Sequence, residues 1–101
     1  EKDLTPVCRN TGQEILQLLL ECREPCVAIL DWMMPDIEGP EICRRIRAAR
    51  ATPYTYIILL TSRSRAEDLI EGLGAGADDY ITKPFDLKEL HARLTAAFRI
   101  L

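Results

Sequence analysis

The sequence predicts a doubly wound α/β domain with a parallel sheet, and three observations carry that expectation. Two apolar runs, VAIL at 27–30 and YIILL at 56–60, lack polar–apolar alternation, as strands covered on both faces do. Segments of helical period lie between these runs and two shorter strand candidates, TPVCR at 5–9 and DYIT at 79–82. The intervening stretches are long enough for helical crossovers, which makes consecutive strands parallel and the connections right-handed.

Taken in order, TPVCR reads as a first strand and EILQLLLEC as the helix after it, because Ile15, Leu18, Leu19 and Cys22 recur at i, i+3, i+4 and i+7 and share one face. VAIL is the second strand and ends at Asp31. A sharp turn through MMPDIEG leads to a second helix with Ile42, Cys43, Ile46 and Ala49 on its apolar stripe. Pro40 suits the first turn of that helix, where its missing N–H leaves no bond unmade. YIILL is the third strand, and Ala66, Leu69, Ile70 and Leu73 form the stripe of the helix that follows. GLGAGAD at 72–78 has the glycine spacing of a dinucleotide loop, but it closes a helix instead of following a strand, so it reads as a C-cap and turn into DYIT. Asp86 caps the last helix, with Glu89 as a capping-box partner and Leu87, Leu90, Leu94, Ala97, Phe98 and Leu101 on the apolar face.

A chain of 101 residues holds a single domain, here 1–101, without repeats or linkers. Apolar residues at 48%, charged residues at 29% and a net charge of -3 describe a folded globular protein and give no reason to expect nucleic acid or membrane as partners. The apolar runs are too short to span a bilayer and no leader opens the chain, so a cytoplasmic location is expected. Cys8, Cys22, Cys26 and Cys43 fall inside regular segments and are expected to be reduced thiols. A zinc site is not expected, since Cys22 and Cys26 have no second pair and His91 stands alone. RRIRAAR at 44–50 is read as a solvated helix face, with Arg44 and Arg47 turned away from Ile42, Ile46 and Ala49.

In sheets of this class chemistry collects at the carboxyl ends of the strands. Just past the three best strands stand Asp31, Thr61 and Lys83, the latter two lying 30 and 52 positions beyond the aspartate. A carboxylate, a hydroxyl and an ammonium on one edge can accept a phosphoryl group: the carboxylate attacks phosphorus, and the other two hold the phosphoryl oxygens. Taken singly, each has a plainer role, with Asp31 and Thr61 as caps and Lys83 as a surface charge.

LDWMMPDIEG, ILLTS and GADDYITKPF together resemble the receiver domain of two-component response regulators, over the chain from about Leu4 onward. The resemblance implies a phosphoacceptor at Asp31, a switch hydroxyl at Thr61, a phosphate-contacting lysine at Lys83 and an aromatic switch at Tyr80. It implies a cis bond between Lys83 and Pro84, and a Mg²⁺ ion held by Asp31 and the backbone carbonyl of Met33. Met33 and Arg63 occupy positions that in the family influence how long the phosphoryl group survives, and Trp32 is expected partly exposed at the rim. Implied partners are a histidine kinase or phosphotransfer protein, and the wording of TPYTYIILLTS and the closing RIL is similar to receivers placed before diguanylate cyclase domains. The domain is read as a signalling phosphoacceptor, not an enzyme.

One departure stands out. The family's first strand ends in an acidic pair that holds the metal, and no apolar run precedes Glu1, Lys2 and Asp3. The chain is therefore expected to lack the central first strand of the 2-1-3-4-5 order and its helix, to bind Mg²⁺ weakly, and to dimerise or swap segments through the edge left open. The alternative is a phosphorylation-independent receiver that acts as a dimerisation or interaction module; a flavodoxin-like cofactor binder ranks last, for want of a phosphate-cradling loop.

Overall fold

A computed structural model describes Arg9, residues 11–49, 54–62 and 66–101. All of the expected TPVCR strand except Arg9, together with Arg63, lies outside the described residues. The elements run α1 (Gly12–Glu21), β1 (Cys26–Asp31), α2 (Gly39–Ala49), β2 (Thr55–Thr61), α3 (Ala66–Gly74), β3 (Asp79–Thr82) and α4 (Leu87–Ile100). Among the described residues, the three strands form one parallel sheet in the order β1-β2-β3.

β2 is the strand with two covered faces. Ile57 and Leu59 enter a core with Leu16 and Leu19 of α1, Ala28 and Leu30 of β1, and Ile42, Cys43 and Ile46 of α2. Tyr56 and Ile58 face the other way, into a second core with Ile81 and Ala97, flanked by Leu60, Leu90 and Leu94. β1 departs from expectation: Ala28 and Leu30 are buried, but Ile29 on the opposite face is exposed, because β1 is the edge of the described sheet and only one of its faces is fully covered.

The helix starts are well accounted for. Gly39 N–H donates to Trp32 O, and Glu41 and Ile42 N–H both donate to Glu38 O, so Pro40 sits where no donor is missed. The Asp86 side chain accepts from Lys88 N–H. Glu89 does not complete a capping box in the expected way; its carboxylate turns along the helix to Arg93, 3.5 Å away.

Two apolar stripes are less buried than their spacing implies. In α3, Leu69, Ile70 and Leu73 are all exposed, Ile70 at 70%, and the buried residue is Gly72. A Cβ at Gly72 would stand 3.0 Å from Leu59 Cδ1 and 3.3 Å from Trp32 Cζ3. The helix thus makes its closest approach through a residue without a side chain, which leaves its larger apolar residues outside that contact. In α4, Ala97 is buried and Leu90 and Leu94 are half-buried, while Leu87, Phe98 and Leu101 are exposed. In α2, Ala49 is exposed as well.

The turn between α3 and β3 reads as expected. Gly76 has φ +119, a conformation open to glycine at no steric cost.

Candidate functional site

Asp31 is the last residue of β1 and Thr61 the last of β2, and Lys83 follows β3 directly. The parallel register holds their three backbones side by side: Asp31 is paired with Leu60, and Thr61 with Thr82. Past the ladder's end, Trp32 N–H donates to Leu60 O at 2.8 Å and Lys83 N–H to Thr61 O at 2.6 Å. The lysine is therefore placed by the backbone of the middle strand. Its ammonium pairs with Asp31 Oδ1, and the peptide bond to Pro84 is cis.

This ion pair is open to water, with side-chain exposures of 42% for Lys83 and 46% for Asp31. A pair so exposed contributes about 0–1 kcal/mol to stability. A carboxylate that solvent can reach, beside a cation, is better suited to meeting an anionic group than to holding the fold together.

Thr61 lies on the central strand between the two charged residues, and is buried. Tyr80 is half-buried on β3, with its ring edge-on to Trp32 at a centroid distance of 6.2 Å and an interplanar angle of 80°. Trp32 is only 1% exposed, which corrects its expected place at the rim. Alternation along the strand points it away from Asp31 and into the core, where the gap at Gly72 receives its ring. Met33 is exposed.

Arg47 also needs correction. It is no solvated face residue, because its guanidinium donates to Thr55 O at 2.7 Å, Asp78 Oδ2 at 2.8 Å and Gly76 O at 3.0 Å, and it lies over the Tyr54 ring at 4.5 Å. Asp78 also accepts from Ile57 N–H and Tyr54 Oη. The cluster joins α2, the start of β2 and the turn before β3. Arg44 is solvated as expected, paired with Glu41 and Glu71.

Asp36, in the loop after Asp31, has a role that its sequence position does not signal. Its Oδ1 accepts from Gly12 N–H at 2.7 Å and its Oδ2 from Gln13 N–H at 2.9 Å, with Ile37 N–H at 3.0 Å from Oδ1. These donors, Gln13 N–H above all, hold its carboxyl below the ordinary range. The two α1 partners are 24 and 23 residues away, so no local spacing could have exposed the pairing.

The comparison with known families is consistent with this geometry. The profile of the response regulator receiver domain matches residues 6–95. The chain belongs to this family. A receiver domain of two-component signalling accounts for the α/β order and for the placement of the strand ends. Among curated relatives, the phosphate regulon transcriptional regulatory protein PhoB of Rhizobium meliloti (strain 1021) is 45% identical over 82% of this chain and 37% of its own length. The response regulator ArlR of Staphylococcus aureus (strain Mu50 / ATCC 700699) is 54% identical over 70% of this chain and 31% of its own length. The receiver thus spans about a third of these relatives. Among solved structures, the BeF3-activated DrrB receiver domain superposes with a TM-score of 0.75 at 44% identity, covering 88% of this chain and 72% of that one. A Francisella response regulator receiver domain gives 0.79 at 35% identity, covering 88% and 71%.

No helix among the described residues is long and apolar enough to cross a membrane. No group of three or more His, Cys, Asp or Glu able to hold a metal occurs among them either. Of the residues expected to hold Mg²⁺, the described ones are the Asp31 carboxylate and the Met33 carbonyl. Mg²⁺ keeps several waters and is satisfied with one or two carboxylates beside phosphate oxygens, and the exposed Asp31 carboxylate leaves room for that water.

Proposed function

We propose that this receiver domain is a phosphorylation switch in which Asp31 accepts a phosphoryl group from a histidine kinase or phosphotransfer protein. The observation that carries the reading is the water-accessible Asp31–Lys83 pair at the carboxyl edge of the sheet. A carboxylate oxygen of Asp31 attacks phosphorus, the bond from phosphorus to the donor's leaving group breaks, and an acyl phosphate forms. Lys83 exchanges a carboxylate partner for phosphoryl oxygens, which favours the charge that builds on them. Asp31 and the Met33 carbonyl are the residues that would hold Mg²⁺, which would neutralise the remaining phosphoryl charge.

The switch is the difference between two conformations in how well they hold that group. Thr61, whose carbonyl anchors the lysine's backbone, supplies a hydroxyl, and Tyr80, in contact with Trp32, relays the change to the surface of α3, β3 and α4. Exposed Leu69, Ile70, Leu73 and Leu87 are the apolar groups there that a partner could cover. The name of the Rhizobium meliloti relative, a transcriptional regulatory protein, supports a transcriptional output for the parent protein over the diguanylate cyclase output expected from sequence wording.

A second reading is favoured by the single carboxylate that the described residues offer a metal beside Lys83, together with those exposed apolar residues: a phosphorylation-independent module that pairs or docks. Intact mass after incubation with acetyl phosphate and Mg²⁺, beside Asp31→Asn, separates the two. Gain of one phosphoryl group by the parent alone supports the switch. No gain by a folded parent supports the docking module.

A further inference from the structure

The loop from Trp32 to Glu38 leaves Asp31 and returns on itself. Its two ends meet, because Gly39 N–H donates to Trp32 O at 2.8 Å, and a Cβ at Gly39 would stand 2.7 Å from Asp31 O. A loop closed so tightly at its base still needs its apex held. Asp36 does that, and its partner is the start of α1.

The first four N–H groups of α1 are all accounted for. Gly12 and Gln13 donate to the two oxygens of Asp36, Glu14 to Thr11 Oγ1 at 3.2 Å and Ile15 to Thr11 O at 3.2 Å. Half of this capping comes from another part of the chain. The contact is close on the helix side as well, since a Cβ at Gly12 would be 3.1 Å from Asp36 Oδ1 and 3.1 Å from both Ile37 Cβ and Ile37 O. A negative side chain at a helix start is also favoured by the helix dipole.

We propose that Asp36 is a positioning residue for the acceptor site: its carboxylate clamps the apex of the 32–38 loop to the N-terminus of α1 and so fixes the backbone that follows Asp31. The proposal rests on the reading of Asp31 as the acceptor. It makes α1 a part of the site's support, although α1 supplies none of the residues assigned to the site itself. Displacement of the start of α1 then alters the geometry beyond Asp31, and a phosphoryl group that reorders the loop pulls on α1 in return.

The test uses Asp36→Ala, Asp36→Asn and Gly12→Ala in the full chain. Hydrogen exchange is read at amides 12–13, 33–34 and 36–38, and the rate of phosphoryl gain from acetyl phosphate by intact mass. Asp36→Ala should speed exchange in both segments and slow phosphorylation by about tenfold, the scale of one lost charge-assisted bond. Asp36→Asn keeps an oxygen acceptor and should recover part of both effects. Gly12→Ala improves helix propensity yet crowds the clamp, so it should loosen the loop without loss of global stability; a cap serving only the helix would show no such effect.

The proposal is overturned if Asp36→Ala deprotects amides 12–13 while loop exchange stays at the parent's level. It is equally overturned if loop exchange rises and phosphorylation is unchanged. If the parent gains no phosphoryl group, the acceptor reading fails by itself, and loop exchange in Asp36→Ala and Gly12→Ala still decides whether the clamp holds.

Discussion

Replacing Arg47 with alanine tests the claim that this residue ties three parts of the fold together. The guanidinium makes one bond to a carboxylate and two to backbone carbonyls, and charge-assisted bonds contribute about 1.5–3 kcal/mol each. The pair with Asp78 is about three-quarters buried, with side-chain exposures of 25% and 22%, so water can replace part of what is lost. The cation over the Tyr54 ring adds about 0.5–1 kcal/mol. Allowing for that replacement and for non-additivity within one cluster, Arg47→Ala should cost about 3 kcal/mol. With a urea slope of about 1.5 kcal/mol per molar, the unfolding midpoint falls by roughly 2 M and the slope is unchanged. Arg47→Lys keeps the charge but not the planar fork, and should cost about half as much. A double-mutant cycle with Asp78→Asn should show coupling above about 1 kcal/mol. An Arg47→Ala protein within about 0.5 kcal/mol of the parent, the range of an ordinary surface substitution, would refute the reasoning.

Three further outcomes can be checked. Gly39→Ala should destabilise by about 1–3 kcal/mol in urea unfolding, because the new Cβ meets backbone that cannot yield, whereas Gly74→Ala, with open space around it, should change stability by less than about 0.5 kcal/mol. The folded-state pKa of Asp36 is depressed, so its stabilising bonds are fully present above the ordinary carboxylate pKa and are lost as pH falls through the lower, folded value. Exchange at Gly12 and Gln13, corrected for its intrinsic pH dependence, should accelerate over that acid range in the parent but not in Asp36→Ala. Cys43 is buried, and burial pushes its thiol up to about 11; it should resist alkylation at pH 8 in the folded protein and react once urea unfolds it, as peptide mass mapping would show.

Much of the architecture could be read from local pattern. The unalternated run at 56–60 belongs to a strand used on both faces, and the helical stripes gave the element order, because period and burial are linked within one element. The meeting of Asp31 and Lys83 was legible for a topological reason, since parallel strands bring their carboxyl ends to one edge. Trp32, Arg47 and α3 were misjudged because their surroundings are chosen by distant residues. Trp32 is buried where Gly72 leaves room, 40 positions on, and Arg47 finds acceptors at positions 55, 76 and 78. A local pattern tells which residues can be buried, but not which neighbour makes the space. Asp36 was missed for the same reason: as a sequence feature, it is one more turn-forming aspartate.

The bond from Lys83 N–H to Thr61 O separates two duties at a single position. Residue 61 anchors the lysine through its carbonyl, which every amino acid carries, while the hydroxyl belongs to threonine itself. If Thr61 and Lys83 act as proposed, chemical variation at that side chain retunes the response without uprooting the cation. Under the proposed switch, sensitivity and placement become independently adjustable: Thr61→Ser or Thr61→Ala should alter the signal while the lysine stays moored to the same strand.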